Sequence, residues 1–262
     1  MNKIHFMEHT TEYKDLINPE QDFLPGISID CVIFGFHENQ LKVLLIKFAN
    51  TDIYSLPGGF IYKEESLDEA ASRILDHRTG IEDTYLEQFY VFGNPNRVNP
   101  EEHRLIMQKN GLDLPNGHFL LNRHITVGYY ALGDFTKIQP HSHLNLEEGG
   151  WFDIYDLPET IAFDHREILL KALDSLRLFL DHKLSVFNLM PETFTMGELQ
   201  SLYETILNKK LLRANFQRKM LSLGILERLD KKWGGGAHKA PYLYRFDSQK
   251  AEASKFANQF EE

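Results

Sequence analysis

The segment 213–223 combines the side-chain types that read DNA bases with the spacing of a helix. Phe216, Met220 and Leu221 recur on one predicted face, which packs inward. The residues on the opposite face are Arg213, Asn215, Gln217, Arg218 and Lys219. In the major groove Arg pairs with guanine and Asn or Gln with adenine, whereas Lys binds phosphate. The pattern predicts a helix that contacts double-stranded DNA, and a solvated basic face is the alternative.

The surroundings of this helix are typical of a winged helix-turn-helix domain. Thr195 is predicted to cap a preceding helix, with Glu198 three residues later completing a capping box. Two predicted strands, 225–229 and 242–246, flank the Gly- and Lys-rich loop 230–241. The loop residues suited to phosphates or the minor groove are Lys231, Lys232, His238 and Lys239.

The charge of the chain is divided unevenly along its length. Between Lys209 and Arg245 there are ten basic residues and two acids, a net charge of +8, whereas residues 1–208 carry −16. The overall charge of −10 therefore conceals a basic region. The asymmetry predicts an acidic domain, 1–188, followed by a basic DNA-binding domain, 189–262.

Length and composition restrict the class of protein. A chain of 262 residues with 42% hydrophobic residues can form one large or two modest domains. Cys31 is the single cysteine, which excludes a disulfide framework and favours a cytoplasmic location. Residues 1–15 lack the apolar core of a signal peptide, and no apolar run reaches the roughly 18 residues of a membrane span. We expect no membrane association.

Residues 58–81 predict a tight loop that closes into a helix. Ser66 and Glu69 form a capping box, and Gly80 stands where a left-handed C-cap belongs. The nearest oxygen ligands are Glu65 and Asp76, but helical geometry rotates Asp76 away from its neighbours, and a single remaining carboxylate cannot hold Mg²⁺.

This stretch resembles the Nudix box, a loop–helix–loop that binds Mg²⁺ and activates a diphosphate. The matching positions are Gly59, Glu65, Arg73, Leu75, Gly80 and Ile81. Ile74, His77 and Arg78 occupy the positions of three family carboxylates. Because a guanidinium cannot ligate a metal, we expect a degenerate box with no catalytic residue, no metal and no cofactor, and therefore no enzyme.

The remaining elements suit the α/β/α sandwich that the Nudix resemblance implies. Predicted strands cover 27–36, 41–48, 86–92, 124–132 and 150–156. The first two, joined by the turn residues 37–40, are predicted to form a β-hairpin. Residues 99–122 carry three turn signals and are predicted to form a polar surface loop. An amphipathic helix begins near Asp164 and runs to about Asp181. The predicted fold is an α/β Nudix-like sandwich followed by a small winged helix-turn-helix domain.

Further segments resemble the Nudix-related transcriptional regulators of the NrtR type over nearly the whole chain. They are Ala-Phe-Asp-His at 162–165, Phe-Asn-Leu-Met-Pro at 187–191, Phe-Thr-Met-Gly-Glu-Leu-Gln at 194–200, Asn-Phe-Gln-Arg-Lys-Met at 215–220 and Tyr-Leu-Tyr-Arg-Phe at 242–246. The resemblance implies a homodimeric bacterial repressor that binds operator DNA and senses a small effector. One branch responds to ADP-ribose and controls NAD metabolism. AraR-like branches beside sugar-utilisation genes are thought to sense pentoses, arabinose among them.

The degenerate box and the long 99–122 segment favour a small sugar, such as L-arabinose, over a diphosphate as the effector. The candidate ligand-binding residues are Tyr54, Phe60, Tyr62, Glu65, Arg73, Arg97, Asp164 and His165. Two other functions stay open, an ADP-ribose-responsive repressor and a Nudix hydrolase with an accessory domain. Metal-dependent turnover would favour the hydrolase.

Each candidate also has a structural explanation. Arg73 and Glu65 suit a salt bridge that fixes the loop, Phe60 suits the core, and Asp164 suits a helix cap. His165 could be an ordinary surface residue. His141 and His143 have metal-ligand spacing but no acidic or cysteine partner nearby, which makes a metal site weakly supported.

Overall fold

The computed structural model describes residues 22–81, 84–133, 135, 147–180, 184–232, 240–247 and 249–250. Five residues named above lie outside these ranges: His141, His143, Asp181, His238 and Lys239. Backbone contacts divide the chain into two compact units. The first takes the described residues of Met1–Ile33, Val43–Ala131 and Ile138–Ala172, and the second takes those of Phe34–Lys42, Leu132–Lys137 and Leu173–Glu262. The predicted domain boundary between residues 188 and 189 stays a prediction.

The first unit is built on a seven-stranded sheet. Its strands are β1 (Phe23–His37), β2 (Gln40–Lys47), β3 (Tyr54–Ser55), β4 (Gly58–Tyr62), β5 (Tyr85–Phe92), β6 (Ile125–Gly133) and β7 (Glu147–Asp153). The order is β3-β2-β1-β6-β5, with β4 paired to β1 and β7 to β2. Glu38 and Asn39 both adopt positive φ, 49° and 61°, as a tight hairpin turn between β1 and β2 requires. The predicted hairpin is confirmed.

Helix α1 (Leu67–Thr79) forms where the sequence predicts it. The Ser66 hydroxyl accepts from the Glu69 N–H, while the Glu69 carboxylate accepts from the Ser66 N–H at 2.8 Å. Gly80 ends the helix with φ of 68°, a conformation that side chains with a Cβ rarely adopt. The buried face of α1 packs on β4 and β5 in the core around Ile61 and Leu75.

The segment 99–122 is not the polar surface loop that we predicted. It contains helix α2 (Pro100–Lys109) and a 3₁₀ turn, Phe119–Leu121. The Asn99 side chain caps α2, and proline at the first helical turn favours this start. Phe119 is buried against Phe60, with the ring centroids 4.6 Å apart. The prediction was wrong because the frequent turn residues in this segment gave no indication of a short helix or of the buried Phe119.

Helix α3 (His165–Phe179) has the strong apolar stripe that its sequence predicts. Its buried side chains are Ile168, Leu169, Ala172, Leu173 and Leu176. Nowhere in the described ranges is there a helix with the length and apolar character to cross a membrane.

The second unit contains the predicted helix-turn-helix and wing strands. Its elements are a 3₁₀ turn (Leu184–Leu189), β8 (Phe194–Thr195), α4 (Met196–Leu207), α5 (Arg213–Ser222), β9 (Leu226–Lys231) and β10 (Tyr242–Phe246). The three strands form a sheet in the order β8-β10-β9. Thr195 and Glu198 form the capping box of α4 as predicted. Leu221, predicted to face inward, is 45% exposed because α5 ends at Ser222 before its last turn is covered.

Candidate functional site

A cavity of about 230 Å³ opens in the first unit between the sheet, α2 and the start of α3. Its polar lining includes Asp30, Arg78, Arg97, His103, His124 and His165. Aromatic side chains, Phe48, Phe60 and Phe163, form much of the remaining wall. A concave apolar site with a few convergent polar groups is the usual form of a ligand-binding pocket.

Arg97 is the centre of a buried charge network in this cavity. Its Nε and Nη2 bind both carboxylate oxygens of Asp164 at 2.8 Å each. Its Nη1 donates to the His124 carbonyl at 3.0 Å, and its Nη2 lies 3.5 Å from Asp30 Oδ2. The Arg97 side chain is only 3% exposed. A buried guanidinium needs this number of acceptors, so the network fixes Arg97 and the start of α3 in place.

His165 is held in a defined tautomer. The Leu56 N–H donates to His165 Nδ1 at 3.0 Å, so a proton on the neutral ring resides on Nε2. Nε2 faces Asp30 Oδ1 at 3.5 Å. Burial lowers the pKa of His165, although the Asp30 and Asp164 carboxylates oppose this effect. At neutral pH the imidazole is therefore a neutral donor toward Asp30.

Two further histidines border the cavity with incomplete hydrogen bonding. Among the described residues, His103 Nδ1 and His124 Nε2 are buried atoms without a hydrogen-bond partner. Burial, reinforced by the neighbouring His124 ring, lowers the pKa of His103 to about 4. Burial likewise lowers the pKa of His124. Both rings are neutral at physiological pH and can each offer a polar nitrogen to a ligand.

The three substituted positions of the Nudix box have three different environments. Ile74 is 2% exposed, and its Cγ1 lies 3.0 Å from where a Cβ on Gly59 would stand. His77 is exposed on α1. Arg78 lines the cavity, and its Nε donates to the Gly58 carbonyl at 3.1 Å. Arg78 thus places a cation at the pocket wall.

The structure brings some of the predicted ligand-binding residues together. Phe60, Arg97 and His165 line the cavity, and Asp164 joins them through its two bonds to Arg97. In the described part of the chain, the lining does not include the other four, which are Tyr54, Tyr62, Glu65 and Arg73.

Arg73 and Glu65 hold the loop that leads into α1. Arg73 Nε donates to Glu65 Oε2 at 2.9 Å, and Arg73 Nη2 donates to the Phe60 carbonyl at 2.8 Å. The Arg73 guanidinium also stacks 4.3 Å above the Tyr62 ring. Although burial raises the pKa of Glu65, the bonds from Arg73 and the Tyr62 N–H lower it overall. These contacts fit the structural salt bridge that was the alternative to a ligand role.

Sequence reasoning missed Asp30, His103 and His124 as pocket residues. One signal was available, because Asp30 is a charged residue between the buried apolar Ile29 and Cys31 of β1. The two histidines gave no comparable signal. They converge on the pocket from α2 and the start of β6, and only the fold brings these segments together.

Helix α5 of the second unit presents the predicted polar face to solvent. All five predicted base-reading residues, Arg213, Asn215, Gln217, Arg218 and Lys219, are exposed. Phe216 and Met220 are buried on the opposite face, where the Phe216 ring lies 5.2 Å from that of Tyr203. The first turn of α5 carries no acid, and its N-terminus has no side-chain cap. Backbone N–H groups at such a terminus can bind a phosphate.

The wing strands carry further cations. Lys231 Nζ and the Arg228 guanidinium lie over the Tyr242 ring, at 5.4 and 4.7 Å from its centroid. Lys232 Nζ binds Glu198 Oε1 at 3.2 Å, so a phosphate would compete with this carboxylate. The two other predicted wing residues, His238 and Lys239, are outside the described ranges.

Comparisons with known proteins match both units. The family model described as the NUDIX domain matches residues 24–172, and the model described as the NrtR DNA-binding winged helix domain matches residues 186–246. A relative from Acinetobacter baylyi, named ADPR responsive transcriptional repressor NtrR, is 32% identical over 86% of this chain and 83% of its own length.

Solved structures agree with this assignment. Shewanella oneidensis NrtR complexed with a 27mer DNA is 26% identical, with a TM-score of 0.66 over 86% of this chain and 95% of that chain. A MutT/nudix family protein from Enterococcus faecalis, 22% identical with a TM-score of 0.61 over 89% of this chain and 93% of that chain, shows the same fold.

The prediction of a sugar effector such as arabinose, and of a link to carbohydrate metabolism, is wrong, because the Acinetobacter relative is an ADPR-responsive repressor. The Arg78 guanidinium cannot ligate a metal, but as a cation in the pocket wall it complements an anionic ligand. The matches to the two domain models and to a relative that spans both show that this chain belongs to the NrtR-type family of Nudix plus winged-helix transcriptional regulators.

Proposed function

We propose that this protein is a cytoplasmic transcriptional repressor that binds operator DNA through its winged helix and responds to ADP-ribose in its Nudix-like domain. The observation that carries the proposal is the 32% identity to an ADPR-responsive repressor over 86% of the chain, which includes both domains. The geometry of the pocket and of α5 supports each half of the proposal separately.

The pocket suits an anionic ligand held without a metal ion. Arg78 supplies a guanidinium at the wall, and a guanidinium can bind two oxygens of a phosphate in a fixed geometry. Arg97 is already engaged by Asp164 and Asp30, so its charge is largely compensated. Phe60 and Phe163 provide apolar surface against which a nucleoside can pack.

The exposed face of α5 suits the major groove. Its three cations and two amide side chains are the types that read guanine, adenine and phosphate. The related Shewanella NrtR was crystallised with a 27mer DNA, which supports the same use of the winged helix here. We place Arg218 and Asn215, joined by a 2.9 Å hydrogen bond, at the base edges.

We infer that the pocket binds its ligand without hydrolysing it. Ile74 packs in the core, His77 faces solvent and Arg78 is cationic, so none of the three can replace a carboxylate metal ligand. Glu65 has both oxygens engaged by Arg73. Incubation with ADP-ribose and Mg²⁺ or Mn²⁺ should therefore release no AMP, and release at enzymatic rates would contradict this part of the proposal.

The central experiment measures binding of the full chain to an operator with and without effector. DNA selected by the protein from a random pool provides the operator, and fluorescence anisotropy measures its Kd. We expect ADP-ribose to change the Kd by about 5- to 150-fold, the usual range of allosteric coupling. L-arabinose and ADP serve as comparison ligands. An operator Kd that is indifferent to ADP-ribose would overturn the proposed effector.

A matched pair of variants tests the role of the pocket cation. Arg78→Gln should weaken ADP-ribose binding about tenfold to a hundredfold, because a hydrogen bond to a charged group is lost. Arg166→Gln removes an exposed arginine of the same unit and should leave the affinity unchanged. An equal loss of ADP-ribose affinity in both variants would indicate a general effect of removing positive charge from this unit.

A further inference from the structure

Asp30 is a carboxylate buried in the middle of β1, with 7% of its surface exposed, and it lines the cavity. Its position is fixed by the neighbouring strand, because Asp30 pairs with Gly58 of β4. A Cβ on Gly58 would collide with Asp30 Oδ1 and would stand 2.9 Å from the Ile29 carbonyl. The absence of a side chain at Gly58 therefore lets the carboxylate lie at the pocket wall.

The protein supplies Asp30 with weak donors only. Among the described residues, its side-chain contacts are His165 Nε2 and Arg97 Nη2, each at 3.5 Å. Charge-assisted hydrogen bonds normally measure about 2.7–2.9 Å. Arg97 makes bonds of that length to Asp164 instead. A carboxylate accepts up to about four hydrogen bonds, so this buried group has unused capacity that faces the cavity.

Hydroxyl groups are the donors that fit this position. Burying an ionised carboxylate without strong hydrogen-bond donors costs free energy. Two neighbouring hydroxyls of a sugar ring can supply one donor to each carboxylate oxygen. An amine or guanidinium ligand is less suitable, because Arg78 already places positive charge at the same wall. His124 Nε2, buried and without a partner among the described residues, adds a second polar contact for a polyol.

Arg78 and Asp30 both contact Gly58. Arg78 Nε donates to the Gly58 carbonyl at 3.1 Å, while Asp30 is the cross-strand partner of the same residue. A phosphate-binding cation and a hydroxyl-binding carboxylate are thus placed side by side in one pocket. This arrangement matches a ribose ring with a phosphate attached.

Resting on the proposed response to ADP-ribose, we infer that Asp30 accepts hydrogen bonds from the vicinal 2- and 3-hydroxyls of a ribose whose phosphate faces Arg78. Asp30 is then the residue that distinguishes a ribosyl ligand from its deoxy analogue. The recognition needs neither a metal ion nor a protonated histidine.

Calorimetry on the full chain tests this inference with ADP-ribose, ribose 5-phosphate and 2-deoxyribose 5-phosphate. Asp30→Asn should weaken ADP-ribose binding about 10- to 100-fold, because a hydrogen bond to a charged acceptor is lost. Asp52→Asn is the matched control, since Asp52 is an exposed carboxylate of the same unit that pairs with Lys47 at 3.1 Å. This control should bind ADP-ribose like the wild type.

The phosphosugars keep the inference testable if Asp30→Asn does not fold. The wild type should bind ribose 5-phosphate about tenfold or more tightly than 2-deoxyribose 5-phosphate. Equal affinity for the two sugars, or ADP-ribose binding by Asp30→Asn at wild-type strength, would overturn the role of Asp30. Failure of the wild type to bind ADP-ribose would instead overturn the proposed effector, while the phosphosugar comparison still decides the role of Asp30.

Discussion

Individual arginines of the first unit have distinct tasks that their partners define. Arg73 holds the loop before α1 through Glu65 and the Phe60 carbonyl. Arg97 joins Asp164 to the pocket. Arg78 lines the cavity from the last turn of α1. The same side-chain chemistry thus serves structure at two positions and ligand binding, as proposed here, at the third.

Arg218, one of the two exposed arginines of α5, is expected to contribute to sequence-specific binding. Arg218→Ala should cost about 1–3 kcal/mol of operator affinity and relax the preference at one base position. Lys109→Ala, which removes an exposed charge from the first unit, should have little effect. Competition binding against operators with single base changes provides the measurement. Unchanged affinity in the double variant with Asn215→Ala would exclude α5 from base recognition.

A phosphate contact should behave differently from a base contact. Lys231→Ala is expected to weaken binding to all DNA sequences alike. It should also reduce the slope of log binding constant against log salt concentration by about one. Titration of operator and unrelated DNA over a range of salt concentrations distinguishes the two effects. If the variant lost affinity for the operator but not for unrelated DNA, Lys231 would be assigned a base contact instead.

The buried His103 should make the free protein sensitive to mild acid. Its folded-state pKa of about 4 lies below the ordinary 6.5, so the unfolded state binds the extra proton between these values. Stability is therefore present above pH 6.5 and is lost as the pH falls toward 4, by up to about 3 kcal/mol. His103→Phe, which keeps a ring beside Phe163, should reduce the fall in urea midpoint between pH 7.5 and 5.

The control for this experiment is His77→Gln, which removes an exposed histidine of α1. This variant should keep the wild-type dependence of stability on pH. If His103→Phe and the wild type lose stability in parallel, acid sensitivity arises elsewhere in the pocket.

At the scale of elements, local side-chain hydrogen bonds cap α1 and hold the turn that leads into α5. Helix α1 keeps its capping box and its left-handed Gly80. The turn between α4 and α5 depends on Glu204. Its Oε1 accepts from the Leu211 N–H and from Gln200 Nε2, each at 2.9 Å. These bonds tie Leu211, two residues before the start of α5, to α4.

Glu204→Gln should loosen this turn. The Leu211 N–H, with Lys210 and Gln200, lowers the pKa of Glu204 to about 2. The stabilisation from the carboxylate is complete above the ordinary pKa of 4.5 and is lost as the pH falls toward 2. The variant should therefore unfold at a lower temperature than the wild type at pH 7, and the difference should shrink below pH 4.5.

The exposed Glu64→Gln is the control for charge removal. It should alter neither the unfolding temperature nor operator binding. If Glu204→Gln binds the operator at wild-type strength, the turn does not position α5 for DNA.

At the scale of the whole molecule, we propose a homodimer that binds two inverted half-sites. A two-fold symmetric regulator requires a symmetric operator with half-sites about one or two helical turns apart. Helix α3 exposes Leu170 and Leu178, at 48% and 70%, which is unusual for apolar side chains and suits an interface. Light scattering should give twice the mass of 30.5 kDa, and footprinting should show two protected half-sites. A monomer bound to a single half-site would contradict the dimer.

The sequence alone determined the features that depend on local chemistry. The capping boxes at Ser66 and Thr195, the hairpin turn and the polar face of α5 follow from residue type and spacing, so the structure confirms them. The two-domain fold could also be predicted from the sequence, because hydrophobic periodicity and the Nudix and winged-helix motifs each involve residues that are close together in the chain. The polar turn residues of 99–122 concealed α2, since a ten-residue helix depends on the surface that it covers.

Only the tertiary structure decided the composition of the pocket. Asp30, Arg97 and His165 are far apart in the chain. They lie on β1, on the loop after β5 and at the start of α3, and the fold places Arg97 Nη2 and His165 Nε2 each 3.5 Å from a carboxylate oxygen of Asp30. The same packing assigned Arg73 and Glu65 to the loop and Arg78 to the cavity wall. A side chain's charge can be read from its residue type, but its free capacity to bind a ligand depends on which partners the fold has already given it.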